Sequence, residues 1–151
     1  MATTSPNVTG DTSTQQRIIN ACEAEFAQHE TDCSGFAKAV AEDLGVVLTG
    51  MANDIVDQIQ ASPWTMLTDG IDAKSKADAG YFVIGGLKDD PHGHVVVVVT
   101  GPLDAAHQKY PTAYWGSLRG AEFAAKDKTV NWAWDATDRD RVTYAYVTLA
   151  S

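Results

Sequence analysis

The chain has 151 residues, a length that fits one domain with a substantial core. Apolar residues make up 44% and charged residues 21%, as in soluble globular proteins. Eleven basic against twenty acidic residues give a formal net charge of −9, which argues against nucleic acid or an anionic membrane surface as partner. The longest apolar run, Val95 to Val99, is strand-sized and too short for membrane insertion.

Met1 to Ser13 is polar and rich in Thr and Ser, and is expected to be a disordered tail. It carries no apolar segment of the kind a secretory signal needs. The expectation is a cytoplasmic protein, or one exported by a route that reads no such signal. Residues 14–151 are expected to form a single domain. Thr14 to Gln28 predicts a helix, with Ile18, Ile19, Cys22 and Phe26 on one face, so Cys22 is expected in the core. His29 to Asp32 is a polar break. Ser34 to Leu44 predicts a second helix, and Gly45 stops it. Gly50 to Gln60 predicts a third, which Pro63 bars from continuing. A weaker helical pattern lies near Asp72 to Ala79.

The pattern then changes to strands: Tyr81 to Ile84, His94 to Thr100, Thr112 to Ser117, Thr129 to Trp134 and Arg141 to Leu149. Helices first and strands later predict an α+β fold, with N-terminal helices packed on a mostly antiparallel sheet.

Cys33 sits where the polar break becomes the second helix. A helix start and a nearby imidazolium both lower a thiol from its ordinary value of about 8.5. The N–H of Cys33 is also placed to donate to an oxyanion. A cysteine nucleophile paired with a histidine base cleaves amide or related acyl bonds. Four histidines compete for the second role. His29 lies four residues before Cys33, His92 is in a Pro-Gly turn, and His107 is in a polar loop. His94 opens the valine strand, and a strand end holds a ring rigidly. That favours His94, although the residues alone leave the others open. A third, orienting group is expected on the following strand, where Tyr114, Trp115 and Ser117 offer none of the usual types.

Other chemistry is poorly supported. His92, His94, Asp89, Asp90 and Cys33 do not make a zinc ligand set, so no metal is expected. Asp135, Asp138 and Asp140 lack the central glycine and distal glutamate of a calcium loop. No phosphate-binding glycine loop or Gly-x-Ser-x-Gly elbow occurs, and no cofactor is expected.

The string Asp32-Cys33-Ser34-Gly35-Phe36, followed by Gly93-His94-Val95, resembles the NlpC-type branch of papain-like peptidases. The closer similarity is to the first family of type VI secretion amidase effectors. Asn20-Ala21-Cys22, Leu44-Gly45-Val46, Tyr81 to Lys88 with Gly93 to Pro102, Gln108-Lys109-Tyr110-Pro111 with Gly116-Ser117, and Thr137 to Arg141 carry it. The resemblance implies a papain-like fold with Cys33 as nucleophile and His94 as base. It implies hydrolysis of the γ-D-glutamyl-meso-diaminopimelate bond of peptidoglycan stem peptides. Asp32, Ser34 and Trp115 would surround the substrate or oxyanion, with helix capping an equal role for Asp32. It also implies passage from the producer cytoplasm through a type VI secretion tube component into a rival's periplasm, and a cognate immunity protein. A monomer is expected. Trp115 stands where some relatives carry an extra cysteine. A housekeeping cell-wall endopeptidase, a silent wall-binding module and a thiol acyltransferase of the same shape remain as alternatives.

Overall fold

The computed structural model describes residues 12–150. The expected tail therefore lies almost wholly outside the described residues, except that Thr12 and Ser13 already belong to the first helix. That helix, α1, spans Thr12–Phe26, and α2 spans Cys33–Asp43. Helix α3 is Ala52–Gln58 and α4 is Gly70–Asp78. The strands are β1 (Thr65–Met66), β2 (Phe82–Leu87), β3 (His94–Val98), β4 (Thr112–Trp115), β5 (Ala125–Thr129) and β6 (Thr143–Val147). They form one sheet in the order β1-β6-β2-β3-β4-β5, and every pairing is antiparallel. The expected α+β class holds, and the layering is consistent with a papain-like arrangement.

The helix termini follow from local chemistry. Asp32 is in extended backbone and its carboxylate accepts the N–H of Gly35 at 3.0 Å, so α2 starts at Cys33. At the other end Gly45 takes φ +80, and its N–H and that of Val46 reach the carbonyls of Glu42 and Ala41. This is a Schellman closure, and a residue with a Cβ would be strained there.

Both sheet faces are covered, which explains the unbroken valine run. Val95, Val97 and Val99 pack with Phe36, Val40 and Ile55 under α1, α2 and α3. Val96 and Val98 pack with Ala73, Ala77 and Trp115 on the opposite face, beneath α4. Cys22 is fully buried in the first cluster, as its helical spacing predicts.

Three strand predictions need correction. Thr129 to Trp134 is not a strand: β5 ends at Thr129 and Val130–Trp132 forms a 3-10 turn. The Val130 N–H is taken by Pro111 O, and Ala133 N–H turns back to Val130 O, so the ladder cannot run on. Arg139–Arg141 is likewise a 3-10 turn, and β6 begins only at Thr143. Strand β2 runs three residues past Ile84 because Gly85 and Gly86 leave room for neighbours. A Cβ on them would stand 2.8 Å from the Tyr144 ring and 2.7 Å from a Val56 methyl.

Candidate active site

The site forms where two strands part. The Val99 N–H donates to Thr112 O, and the paired residues Val97 and Tyr114 continue the β3–β4 ladder. With a period of two, the N–H of Val95 points the same way. By then β4 has turned aside: the Ser117 N–H donates instead to Glu30 O at 2.9 Å, in the loop before α2. Gly116 permits this approach, since a Cβ there would lie 2.1 Å from His29 O. The start of α2 fills the gap, and the Val95 N–H meets the sulfur of Cys33. Cys33 is thus seated beside the first residues of β3.

His94 and Cys33 line one open cleft of about 630 Å³. Leu87, Asp89, His92, Trp115, Ser117, Leu118, Arg119, Phe123, Trp132, Trp134, Asp135 and Asp138 complete most of its wall. The His94 ring makes T-shaped contacts with two indoles, Trp134 at 5.2 Å and Trp115 at 6.4 Å between centroids. A narrow recess beside Cys33 is walled by Ser34, Met51, Asn53, His92 and Gly93.

The competing histidines are elsewhere or differently engaged. His29 faces Glu25 at 3.6 Å, and His107 binds Asp104 through Nδ1 at 3.0 Å. His92 is exposed at the cleft mouth. Of the four, His94 is the one that opens β3 in the wall of the cleft that Cys33 also lines.

No family model matches the chain. The peptidoglycan amidase Tse1 of Pseudomonas aeruginosa is 42% identical to it over 148 residues, which is 92% of this chain and 94% of that protein. The chain belongs to that amidase family. It is the family of type VI secretion amidase effectors that the Cys33 and His94 motifs resemble.

The remaining expected residues of this amidase-family chain occupy structural places. Asp32 caps α2, and its carboxylate also accepts the Ser34 hydroxyl at 3.1 Å. Ser34 is buried, 3.7 Å from the Met51 sulfur, in the wall of the recess. Trp115 is buried with its Nε1 donating to Phe123 O at 2.9 Å, and one edge of it reaches the cleft. Sequence reading missed Trp134, Arg119 and Asn53. Asn53 grips the turn before His94: its Nδ2 donates to Asp89 O at 2.8 Å and its Oδ1 accepts the Asp89 N–H at 3.1 Å.

The surroundings of Cys33 oppose the lowering that its place at a helix start favours. Burial pushes the Cys33 thiol above its ordinary value. The Val95 N–H opposes that rise, the Asp32 carboxylate adds to it, and the N–H groups of Ser34 and Cys33 oppose it. The helix start does favour the thiolate, but desolvation and the capping acid outweigh it. Burial also drives His94 down, to about 4. At neutral pH the resting pair is therefore a thiol and a neutral imidazole. A neutral imidazole is the form able to accept a proton. Among the described residues, no group of three or more His, Cys, Asp or Glu is arranged to hold a metal ion.

Proposed function

We propose that this member of the amidase family hydrolyses the amide between the γ-carboxyl of D-glutamate and meso-diaminopimelate in peptidoglycan stem peptides. Cys33 is the nucleophile and His94 the general base. The observation that carries the reading is their presence in one cleft, at a helix start and a strand start, in a chain 42% identical to a peptidoglycan amidase. The resting thiol loses its proton to His94 as sulfur attacks the carbonyl carbon. The Cys33 N–H, at the start of α2, steadies the oxyanion. The His94 imidazolium then protonates the departing amine, leaving a thioester. Water, deprotonated by His94, hydrolyses the thioester, and the thiol is restored.

Asp32 and Ser34 serve this chemistry through the helix cap that aims Cys33, and Trp115 walls the cleft. The protein works as a monomer without cofactor. It leaves the producer through a type VI secretion tube and acts in the periplasm of a rival cell, as an antibacterial toxin. The producer protects itself with an immunity protein that covers the cleft.

The test is digestion of purified Gram-negative peptidoglycan with fragment identification by mass spectrometry. New D-glutamate and diaminopimelate ends are expected, absent with Cys33→Ala and with His94→Ala. Cleavage that survives Cys33→Ala, or new ends at another bond, overturns the reading.

A further inference from the structure

We propose that Arg119 is a specificity-determining residue that binds a free carboxylate of the substrate. This rests on the amidase reading above. Arg119 is the one Lys or Arg among the described residues lining the cleft of Cys33 and His94. The chain as a whole carries a formal charge of −9, and Asp89, Asp135 and Asp138 line the same cleft. Among the side chains of the cleft, Arg119 supplies the permanent positive charge that an anionic group entering here can meet.

The carboxylates of the cleft have other partners. Asp138 pairs with Arg141 at 2.9 Å, Asp135 accepts the Thr137 hydroxyl at 2.7 Å, and Asp89 accepts the Asp90 N–H at 2.8 Å. Arg119 forms no ion pair with any carboxylate among the described residues. Its guanidinium lies 4.2 Å from the centroid of the Phe123 ring. A guanidinium held over a ring in this way satisfies none of its N–H donors there, and its planar fork matches the two oxygens of a carboxylate.

The backbone that carries Arg119 is tied to the nucleophile's own loop. The Ser117 N–H is held by Glu30 O, and Gly116 packs against the carbonyls of His29 and Asp32. Ser117 Oγ accepts the Arg119 N–H at 3.2 Å, and Ser117 O accepts the Gly120 N–H at 3.1 Å. The guanidinium is therefore built on a short, braced path from Cys33, as a positioning group for substrate requires. The chemistry of the substrate supplies the ligand. A glutamyl residue linked through its γ-carboxyl keeps its α-carboxylate free, and the diaminopimelate also carries carboxylates.

The test uses synthetic stem tripeptides in three forms: unmodified, amidated at the glutamyl α-carboxylate, and amidated on diaminopimelate. The wild type is expected to favour the unmodified peptide over one amidated form, which identifies the carboxylate. Arg119→Gln is expected to raise KM for the unmodified peptide about tenfold with kcat little changed, and to erase that preference. Arg119→Lys keeps the charge without the planar fork and recovers part of it. An equal loss on all three peptides, or a wild type blind to both amidations, overturns the assignment. Binding of the same peptides to Cys33→Ala needs no turnover. If the wild type cleaves none of them the amidase reading falls, while discrimination in the binding arm, lost in the Cys33→Ala, Arg119→Gln double variant, still decides Arg119.

Discussion

The His94 and Trp134 rings meet edge to face, with 5.2 Å between ring centroids and 71° between the planes. Trp134 follows the Val130–Trp132 turn, so the 3-10 segment that replaces the expected strand is what brings this indole to the imidazole. Burial holds His94 down near 4, and the Trp134 indole covers one side of the ring. Trp134→Ala is therefore expected to raise the pKa of His94 toward the ordinary value of about 6.5. The acid limb of the kcat/KM profile should move up with it, while Trp134→Phe should keep most of the depression. Carbon-bound ring proton shifts followed by NMR titration measure the same change without turnover.

The same depression sets a stability window. Between about pH 4 and about pH 6.5 the unfolded chain binds a proton at this histidine that the folded chain does not. Stability therefore rises with pH across that window, and the penalty is complete only below about 4. After allowance for water in the cleft, about 1–2 kcal/mol should be lost between pH 7 and pH 4.5. Urea unfolding at the two values should show a smaller loss for His94→Gln.

Cys33 is expected to react as a buried thiol in the free protein. Alkylation by iodoacetamide should keep accelerating as pH rises past 9, with no plateau near neutrality. Asp32→Asn removes the charge that raises the thiol and keeps an oxygen able to cap α2. That variant should alkylate faster at pH 8, on the order of two- to fivefold, at nearly unchanged thermal stability. An unchanged rate would show that the carboxylate does not reach the sulfur.

Asp104 is a second buried anchor, away from the cleft. Its carboxylate accepts the N–H groups of His107, Lys109 and Tyr110 at 2.7–3.0 Å. Burial alone would raise it, but these donors and the His107 ring outweigh burial and bring it to about 2. A depressed acid stabilises the fold above its unfolded value near 3.9 and loses that contribution as pH falls toward 2. Asp104→Ala should cost about 2–4 kcal/mol in urea unfolding at pH 7, because several donors lose their acceptor at once. The wild type and the variant should converge at about pH 2.

Gly116→Ala tests the brace beneath the cleft. The new methyl would stand 2.1 Å from His29 O and 2.9 Å from Asp32 O, both backbone, so the loop before Cys33 has to move. kcat on peptidoglycan fragments should fall by at least tenfold, since small misplacements of a reacting group are costly. Thermal unfolding should drop as well. Full activity in this variant would mean that the loop is free to shift without disturbing Cys33.

What the sequence revealed depended on whether the deciding forces were local. Asp32, Gly45 and the helical spacing of Phe36, Val40 and Ala41 set α2 almost to the residue, because capping and amphipathic burial act within a few positions. The valine run announced β3 for the same reason. Strand β1 has two exposed residues and exists only where β6 passes beside it. Strand β5, with Lys126, Asp127 and Lys128 exposed, shows no apolar alternation because it is a solvated edge. The site divides in the same way. Cys33 and His94 stood out as residue types at a helix start and a strand start. Trp134, Arg119 and Asn53 acquire their places through packing between distant segments, and no local pattern marks them. For the charge state, a sequence displays the helix start that favours a thiolate and hides the desolvation that opposes it.

Strand β6 lies between β1 and β2, so the flank of the central strand β2 waits for a segment made long after its two neighbours. Until residues 143–147 slot in, β2 presents an open flank, and the α3 and β3 surfaces that lean on it have an incomplete support. Such remote pairing is slow to form. Refolding of this chain from denaturant should therefore be limited by the arrival of its last strand. A shortened chain lacking that strand should fail as a whole, rather than survive as a smaller version of the protein.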